Sequence, residues 1–211
     1  MVGTNHGFSA YLINKKVAFY FADNEQYFIN KYMVSGANTP ATTSPAGISQ
    51  IIADSEKIAT ELNLVDGILH IQYIEKQDGT PVIIEICRRP PGDLYIKFVK
   101  YATGIDYPLA LIQAETGSAA APRQIEPKPF LRHCVMAETT GTVKGIKFAP
   151  EITDNIVEKF LWYKEGEKIE DILHYKAGIV FMQFATVQEM QQKTARMTEY
   201  IKVQVAPPQS A

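Results

Sequence analysis

The stretch "GILHIQYIEKQDGTPVIIEICRR", residues 67–89, constrains the fold more than any other. Two β-rich runs flank "KQDGT", and its Asp78-Gly79 pair is a strong signal for a tight hairpin turn. Successive side chains of a strand point to opposite faces, so Ile68, His70, Gln72 and Ile74 share one face of the first run. Ile83, Glu85 and Cys87 share a face of the second, and antiparallel pairing about the turn can bring Gln72 and Glu85 to one surface. Glu85 lies between Ile84 and Ile86 in what reads as a buried strand, where a carboxylate is costly unless a cation or hydrogen-bond donors meet it. Arg88 and Arg89 follow at the strand's exit.

The remainder of the chain supplies more hairpins and a few helices. "FSAYLINKKVAFYFAD" reads as two strands around a short loop at Asn14-Lys15-Lys16, and "QYFINKYMV" as a third extended run before a polar segment from Ala37 to Thr43. Ser44-Pro45 starts a helix whose apolar residues Ile48, Ile51, Ile52, Ile58, Ala59 and Leu62 recur at helical spacing, ending near Asn63. Two short helices beyond "RRPPGD" each stop at glycine. Residues 117–129 are small, polar and proline-rich and divide a first domain (1–116) from a second (130–211). That second part holds strands at about 130–137, 142–148, 156–163, 178–185 and 201–205, with Thr186 and Glu189 as a capping box for a helix carrying Val187, Met190, Met197 and Ile201 on one stripe. The expected class is α+β, an antiparallel sheet with helices packed on one face, followed by a smaller β-rich lobe.

Composition narrows the partners. A net charge of -2 gives no electrostatic reason to expect nucleic acid or an anionic membrane. No apolar run is long enough for a membrane helix, so a cytoplasmic location is the default expectation. Cys87 and Cys134, the two cysteines, lack metal-ligand spacing and read as free thiols in apolar surroundings. The first residues enter a strand pattern at once, as a segment of a larger protein would, although a compact natural start fits as well.

A carboxylate beside arginines on a sheet suits a hard divalent cation that shares phosphate oxygens: the acid holds the metal, the guanidinium takes the phosphate. The competing reading is a Glu85 ion pair with Arg88 or Arg89 at a sheet edge. His70 is a lone histidine, more simply a satisfied sheet residue than an active-site one, and Cys87 has no base to make it a nucleophile. Phe19, Tyr20, Phe21, Tyr27, Phe28 and Tyr32 fit strand packing as well as a pocket lining.

The order "GILHIQYIEKQDGTPVIIEICRRPPGD" then "VKYATGIDY" resembles the C-terminal half of the ATP-grasp ligases: an acid-bearing strand, a short turn, Glu-x-Asn-x-Arg, a glycine and a helix ending in a Thr-Gly-Asp-like element. "GTNHGFSAYLINKKVAFYFAD" upstream is similar to the family segment after the adenine-contacting strand. "FLRHCVMAETTGTVKGI" and "YKAGIVFMQFATVQEM" resemble the C-terminal lobe of its carboxylate-amine and amino-acid ligase branch. The resemblance implies ATP and magnesium as cofactors, small-molecule carboxylate and amine substrates, and an N-terminal half or partner chain carrying the phosphate-gripping lysines; it also allows a homodimer. Glu85 matches the family's second magnesium-binding glutamate and Arg89 the arginine that helps hold phosphate, with Arg88, Gly92 and Asp93 as lesser candidates. Two departures stand out: Gln72 occupies the place of the first metal-binding glutamate, and Cys87 the place of asparagine. A neutral amide is a weaker magnesium ligand than a carboxylate, and a soft thiol weaker still. The expectation is therefore part of an ATP-dependent carbon-nitrogen ligase, inactive alone; the alternative is a non-catalytic ATP-grasp-like binding or subunit-interaction module. A cysteine hydrolase is the disfavoured third reading.

Overall fold

The computed structural model describes residues 2–118 and 122–206; residues 119–121 of the proline-rich segment and the tail from 207 onward lie outside them. In chain order the elements are β1 (Gly3–Ile13), β2 (Lys16–Tyr27), β3 (Val34–Thr39), α1 (Pro45–Glu61), β4 (Gly67–Lys76), β5 (Pro81–Cys87), α2 (Tyr95–Thr103) and α3 (Tyr107–Glu115). There follow β6 (Phe130–Val135), β7 (Gly141–Phe148), a 3-10 turn (Pro150–Asn155), β8 (Ile156–Leu161), β9 (Lys168–Ile169), β10 (Gly178–Gln183), α4 (Val187–Thr194), α5 (Met197–Tyr200) and β11 (Ile201–Ala206). The described residues form two compact units, one within 1–24 and 39–128, the other within 25–38 and 129–211.

In the first unit the strands run in the order β5-β4-β1-β2, each antiparallel to its neighbour. The β1–β2 hairpin turns on Asn14 and Lys15, both left-handed at φ 50 and 65, the pair of positive angles that matches the twist of a two-residue hairpin. Asp66 and Asn63 secure it, accepting from the Asn14 amide at 2.8 Å and the Lys15 ammonium at 2.6 Å. One sheet face, formed by Phe8, Ala10, Leu12, Leu69, Ile71 and Tyr73, buries Ile51 and Ala59 of α1. Ser44 caps that helix by accepting from the Gly47 amide at 3.1 Å, with Pro45 at the first helical position. Full burial of a side chain such as Ile51 contributes about 1.5–3 kcal/mol, so a charged residue there would undo the layer.

The other face carries Ser9, Tyr11, Phe19 and Phe21 against α2 and α3: the Tyr11 hydroxyl donates to the Ala110 carbonyl at 2.7 Å, and Phe21 meets Tyr95 and Phe98 edge-on. The α+β class and the antiparallel sheet follow the sequence pattern, while the helices divide between the two faces. Asp106 caps α3, accepting from the Leu109 amide at 3.2 Å, and Gly104 ends α2 at φ 81, a left-handed angle glycine adopts without strain.

The second unit orders β3-β6-β10-β8 in one sheet and β11-β7-β9 in a small one. Its core is Leu131, Val135, Val180, Met182, Phe184, Met190, Met197 and Ile201. Two sequence expectations change here. "QYFINKYMV" is the end of β2 and a loop, and the strand lies later, at Val34–Thr39. The strand uses small residues because the chains approach closely: a Cβ on Gly36 would lie 2.9 Å from Gln26 Oε1 and 3.3 Å from the Arg132 carbonyl. The single helix expected through Ile201 breaks at Ala195-Arg196, and Ile201 opens β11; Met190 and Met197 still reach the core from the two helical pieces. At the start of α4 Thr186 accepts from the Glu189 amide at 3.1 Å, and the Glu189 carboxylate reaches the Ala185 amide at 3.0 Å. Both cysteines are free thiols. No described helix is long and apolar enough to cross a membrane.

Candidate functional site

The β4–β5 hairpin places Gln72 directly opposite Glu85 and His70 opposite Cys87. Its turn is held by the Asp78 carboxylate, which accepts from the Thr80 amide at 2.9 Å and is held below the usual carboxylate range by that bond, while Gly79 takes φ 80. The register slips between Gln72 and Tyr73, a bulge that leaves Ile84 as the extra residue of β5. Beyond the bulge the strand is an open edge. Ile84 is 52% exposed, Ile86 is 40% exposed and Glu85 between them is exposed as well. The buried acid expected from the apolar run is thus a solvated one, on an edge strand that has β4 on one flank and no strand on the other. Glu85 therefore pays no desolvation penalty and is available to a ligand.

The two arginines differ. Arg88 Nη2 donates to the carbonyls of Val65 at 2.7 Å and Asp66 at 3.1 Å, and partial burial lowers its pKa despite the nearby charges of Asp66 and Glu115. Arg89 donates from Nη1 to the adjacent Pro90 carbonyl at 3.1 Å and is otherwise exposed. Cys87 Sγ lies 3.5 Å from the Arg89 carbonyl. Gly92 and Asp93 lie in the turn that enters α2, Asp93 at a left-handed φ of 54.

Behind the hairpin, on the same sheet face, a buried polar group surrounds Asp23 on β2. The Tyr95 hydroxyl donates to Asp23 Oδ2 at 2.8 Å; Ser9 Oγ and His70 Nδ1 are 2.7 Å apart; the Tyr107 hydroxyl donates to the Ser9 carbonyl at 3.2 Å. Asp23, Ser9 and Tyr107 are each no more than 1% exposed. Burial, and then the Asp23 charge, push the Tyr95 and Tyr107 hydroxyls far above the ordinary tyrosine range, so both remain donors at any working pH. His70 is accordingly a hydrogen-bonded sheet residue, its ring edge-on to Tyr95 at 5.4 Å. The sequence alone does not single out Asp23. Its one signal is an acid closing the apolar run "VAFYFAD", and its partners come from β1 and α2, remote in the chain.

The aromatic residues around β2 scatter. Phe19 and Phe21 are core residues and Tyr32 is 97% exposed. Tyr20 lines a cavity of about 390 Å³ between β2, the first turns of α1 and residues 124–127. This is the α1 side of the sheet, away from Gln72 and Glu85.

Among the described residues no group of three or more His, Cys, Asp and Glu could hold a metal ion. What the hairpin offers instead is one carboxylate and one amide oxygen in register. That donor set fits magnesium, which takes oxygen ligands, keeps several waters and binds through one or two carboxylates plus phosphate oxygens.

No protein-family sequence model matches the chain. No curated protein sequence matches it. Solved structures do. An L-amino acid ligase from Bacillus licheniformis superposes with a TM-score of 0.80 at 17% identity, over 97% of this chain and 54% of that one. A phosphoribosylglycinamide synthetase from Anaerococcus prevotii superposes with a TM-score of 0.78 at 18% identity, over 98% of this chain and 54% of that one. The biotin carboxylase domain of a 2-oxoglutarate carboxylase from Hydrogenobacter thermophilus, a dimer in complex with MgADP, ADP and bicarbonate, gives 0.66 at 13% identity, over 95% and 46%. The chain therefore has a partial ATP-grasp fold, the C-terminal half of it. It spans about half the length of the structures it matches.

Proposed function

We propose that this chain is part of an ATP-dependent ligase that activates a carboxylate as an acyl-phosphate and passes it to an amine or similar nucleophile, working together with the half of the fold that lies outside it. The observation that carries this reading is the pairing of Gln72 with Glu85 across an open hairpin, with Glu85 four residues ahead of an exposed Arg89. Glu85 and Gln72 would hold magnesium, which when bound neutralises charge on the transferring phosphate. Arg89, exposed and donating to the adjacent Pro90 carbonyl, offers its guanidinium to a phosphoryl or carboxylate group. Arg88, anchored to two carbonyls, contributes positive potential and the shape of the strand's exit. Alone, the chain lacks the positioning that phosphoryl transfer requires, and no turnover is expected from it.

The test is ADP with manganese in place of magnesium, added to the full chain and read by paramagnetic broadening of backbone amide resonances. Broadening centred on residues 72 and 85, lost in Glu85→Ala, supports the reading; unbroadened hairpin resonances at millimolar ligand would sink it.

A second reading, a non-catalytic module that kept the fold for binding or subunit contact, is favoured by the neutral Gln72 and the thiol of Cys87. It predicts the same broadening but no turnover when the rest of an ATP-grasp fold is supplied.

A further inference from the structure

Four residues stand in one row across the sheet. Asp23 pairs with Gly7, Gly7 with Gln72, and Gln72 with Glu85, and directly opposed residues of antiparallel strands project to the same side. Burial falls along the row: Asp23 is 1% exposed, Gly7 is buried, Gln72 is half-buried and Glu85 is exposed. The second member has no side chain, and the Asp23 carboxylate fills its place. A Cβ on Gly7 would lie 2.8 Å from Asp23 Oδ2 and 3.0 Å from Oδ1. The carboxylate thus sits over β1, one strand spacing of about 4.8 Å from β4, where the next side chain is Gln72.

We propose that Asp23 is a positioning residue for Gln72: its carboxylate accepts the Gln72 side-chain N–H, turning the amide oxygen outward toward Glu85. Tyr95 supports the arrangement, because its donated hydrogen bond to Oδ2 helps hold the Asp23 carboxylate above Gly7. An amide suits this place as a carboxylate would not. Between a buried acid and an exposed one, glutamine can donate to the first with nitrogen and present oxygen beside the second, whereas a glutamate would meet Asp23 with like charge. The row thereby supplies a physical reason for glutamine at position 72. The Asp23–Gln72 pair needs no ligase activity to exist; its consequence for a cation rests on the function proposed above.

The experiment is side-chain amide NMR of the nitrogen-15-labelled full chain without metal or nucleotide, the Gln72 signal being assigned by its loss in Gln72→Leu. The expected result is slow exchange of one Gln72 amide proton, faster by about tenfold or more in Asp23→Asn, as removal of a charge-assisted hydrogen bond requires. Tyr95→Phe should accelerate it less. Should Asp23→Asn fail to fold, Gly7→Ala is the second variant, since its methyl pushes the carboxylate aside without removing the charge. Unchanged Gln72 exchange in a folded variant, with the backbone spectrum of β6 and β10 intact, would overturn the proposal and leave Asp23 a purely structural acid. Addition of manganese and ADP then separates the two readings: a protected amide with no broadening fails the ligase site alone, and broadening with an unprotected amide fails the pair alone.

Discussion

Arg88 Nη2 donates to the carbonyl oxygens of both Val65 and Asp66, so the first arginine after β5 closes the connection that leads from α1 into β4. The same guanidinium lies beside Gly67, where a Cβ would come within 3.5 Å of Nη2, and Gly67 itself takes φ 120, a conformation L residues rarely adopt. Strand exit and strand entry are thereby pinned to each other at the base of the hairpin.

Arg88→Ala should destabilise the first unit by about 1–2 kcal/mol through the lost charge-assisted bonds, and Arg89→Ala should leave stability within about 0.5 kcal/mol. Urea unfolding of both variants checks this. Equal effects of the two changes would mean that the carbonyl bonds of Arg88 contribute nothing measurable. In the MnADP titration the ranking should reverse, with Arg89→Ala the more damaging.

His133 on β6 gives the chain a pH dependence. Its burial, with the adjacent Arg132 charge adding to it, lowers its pKa to about 4 from the ordinary 6.5. Between those values the unfolded chain binds a proton that the folded one refuses, so stability falls as pH drops from about 6.5 to about 4 and levels off below. The full difference corresponds to about 3 kcal/mol at most. His6, whose pKa burial also lowers, acts in the same direction within the first unit. Urea midpoints taken at about pH 7.5 and about pH 4.5 should converge for His133→Gln relative to the native chain; an unaltered gap would assign the effect elsewhere.

The hairpins, the start of α1 and the two short glycine-stopped helices were legible because their signals are local. Asp78-Gly79, Ser44-Pro45 and Gly104 each carry a backbone requirement that few other residues meet. β3 was not legible: "VSGANT" is chosen by the closeness of Gln26 and Arg132, and that closeness is a tertiary fact. The break after α4 was hidden for the opposite reason, since Met190, Met197 and Ile201 keep apolar spacing across it while the backbone changes from helix to strand. At the site, the Gln72–Glu85 pairing could be read from turn and alternation, but the exposure of Glu85 depends on β5 being an edge, and sheet order is not written in a single hairpin. Asp23 was invisible because its meaning depends on the missing side chain of Gly7 on the neighbouring strand.

Gly141 is the glycine whose replacement should be most damaging in the second unit. It takes φ 139 at the start of β7, and a Cβ there would collide with the Ala206 carbonyl and lie 2.6 Å from Val205 Cγ1 of β11. Gly141→Ala must therefore strain its own dihedral and push β11 away, at a cost of about 2–4 kcal/mol. Gly166→Ala is the control: it has a positive φ of 84 but open space around its Cβ, so it should show only the dihedral part, about 1 kcal/mol. Thermal unfolding of the two variants separates strain from collision, and equal losses would show that β11 moves at no cost.

Position 87 and position 72 both flank the proposed cation site, and the structure predicts opposite outcomes for adding an oxygen ligand at each. Cys87 shares the open face with Glu85, is half-buried, and engages only the Arg89 carbonyl at 3.5 Å. Cys87→Asn puts an oxygen donor two residues from Glu85 at little structural expense, and manganese affinity should rise about threefold to tenfold, as an added hard ligand implies. Gln72→Glu adds a full charge, yet sets it in the row that ends at buried Asp23. Like-charge repulsion there should raise the new acid's pKa and destabilise the fold by about 1–3 kcal/mol, with little gain in metal affinity near neutral pH. Calorimetric titration of manganese into both variants, with urea unfolding alongside, decides the matter. A Gln72→Glu chain that is both stable and tighter-binding would mean that Asp23 does not reach across Gly7, and that glutamine at position 72 marks only a lost ligand.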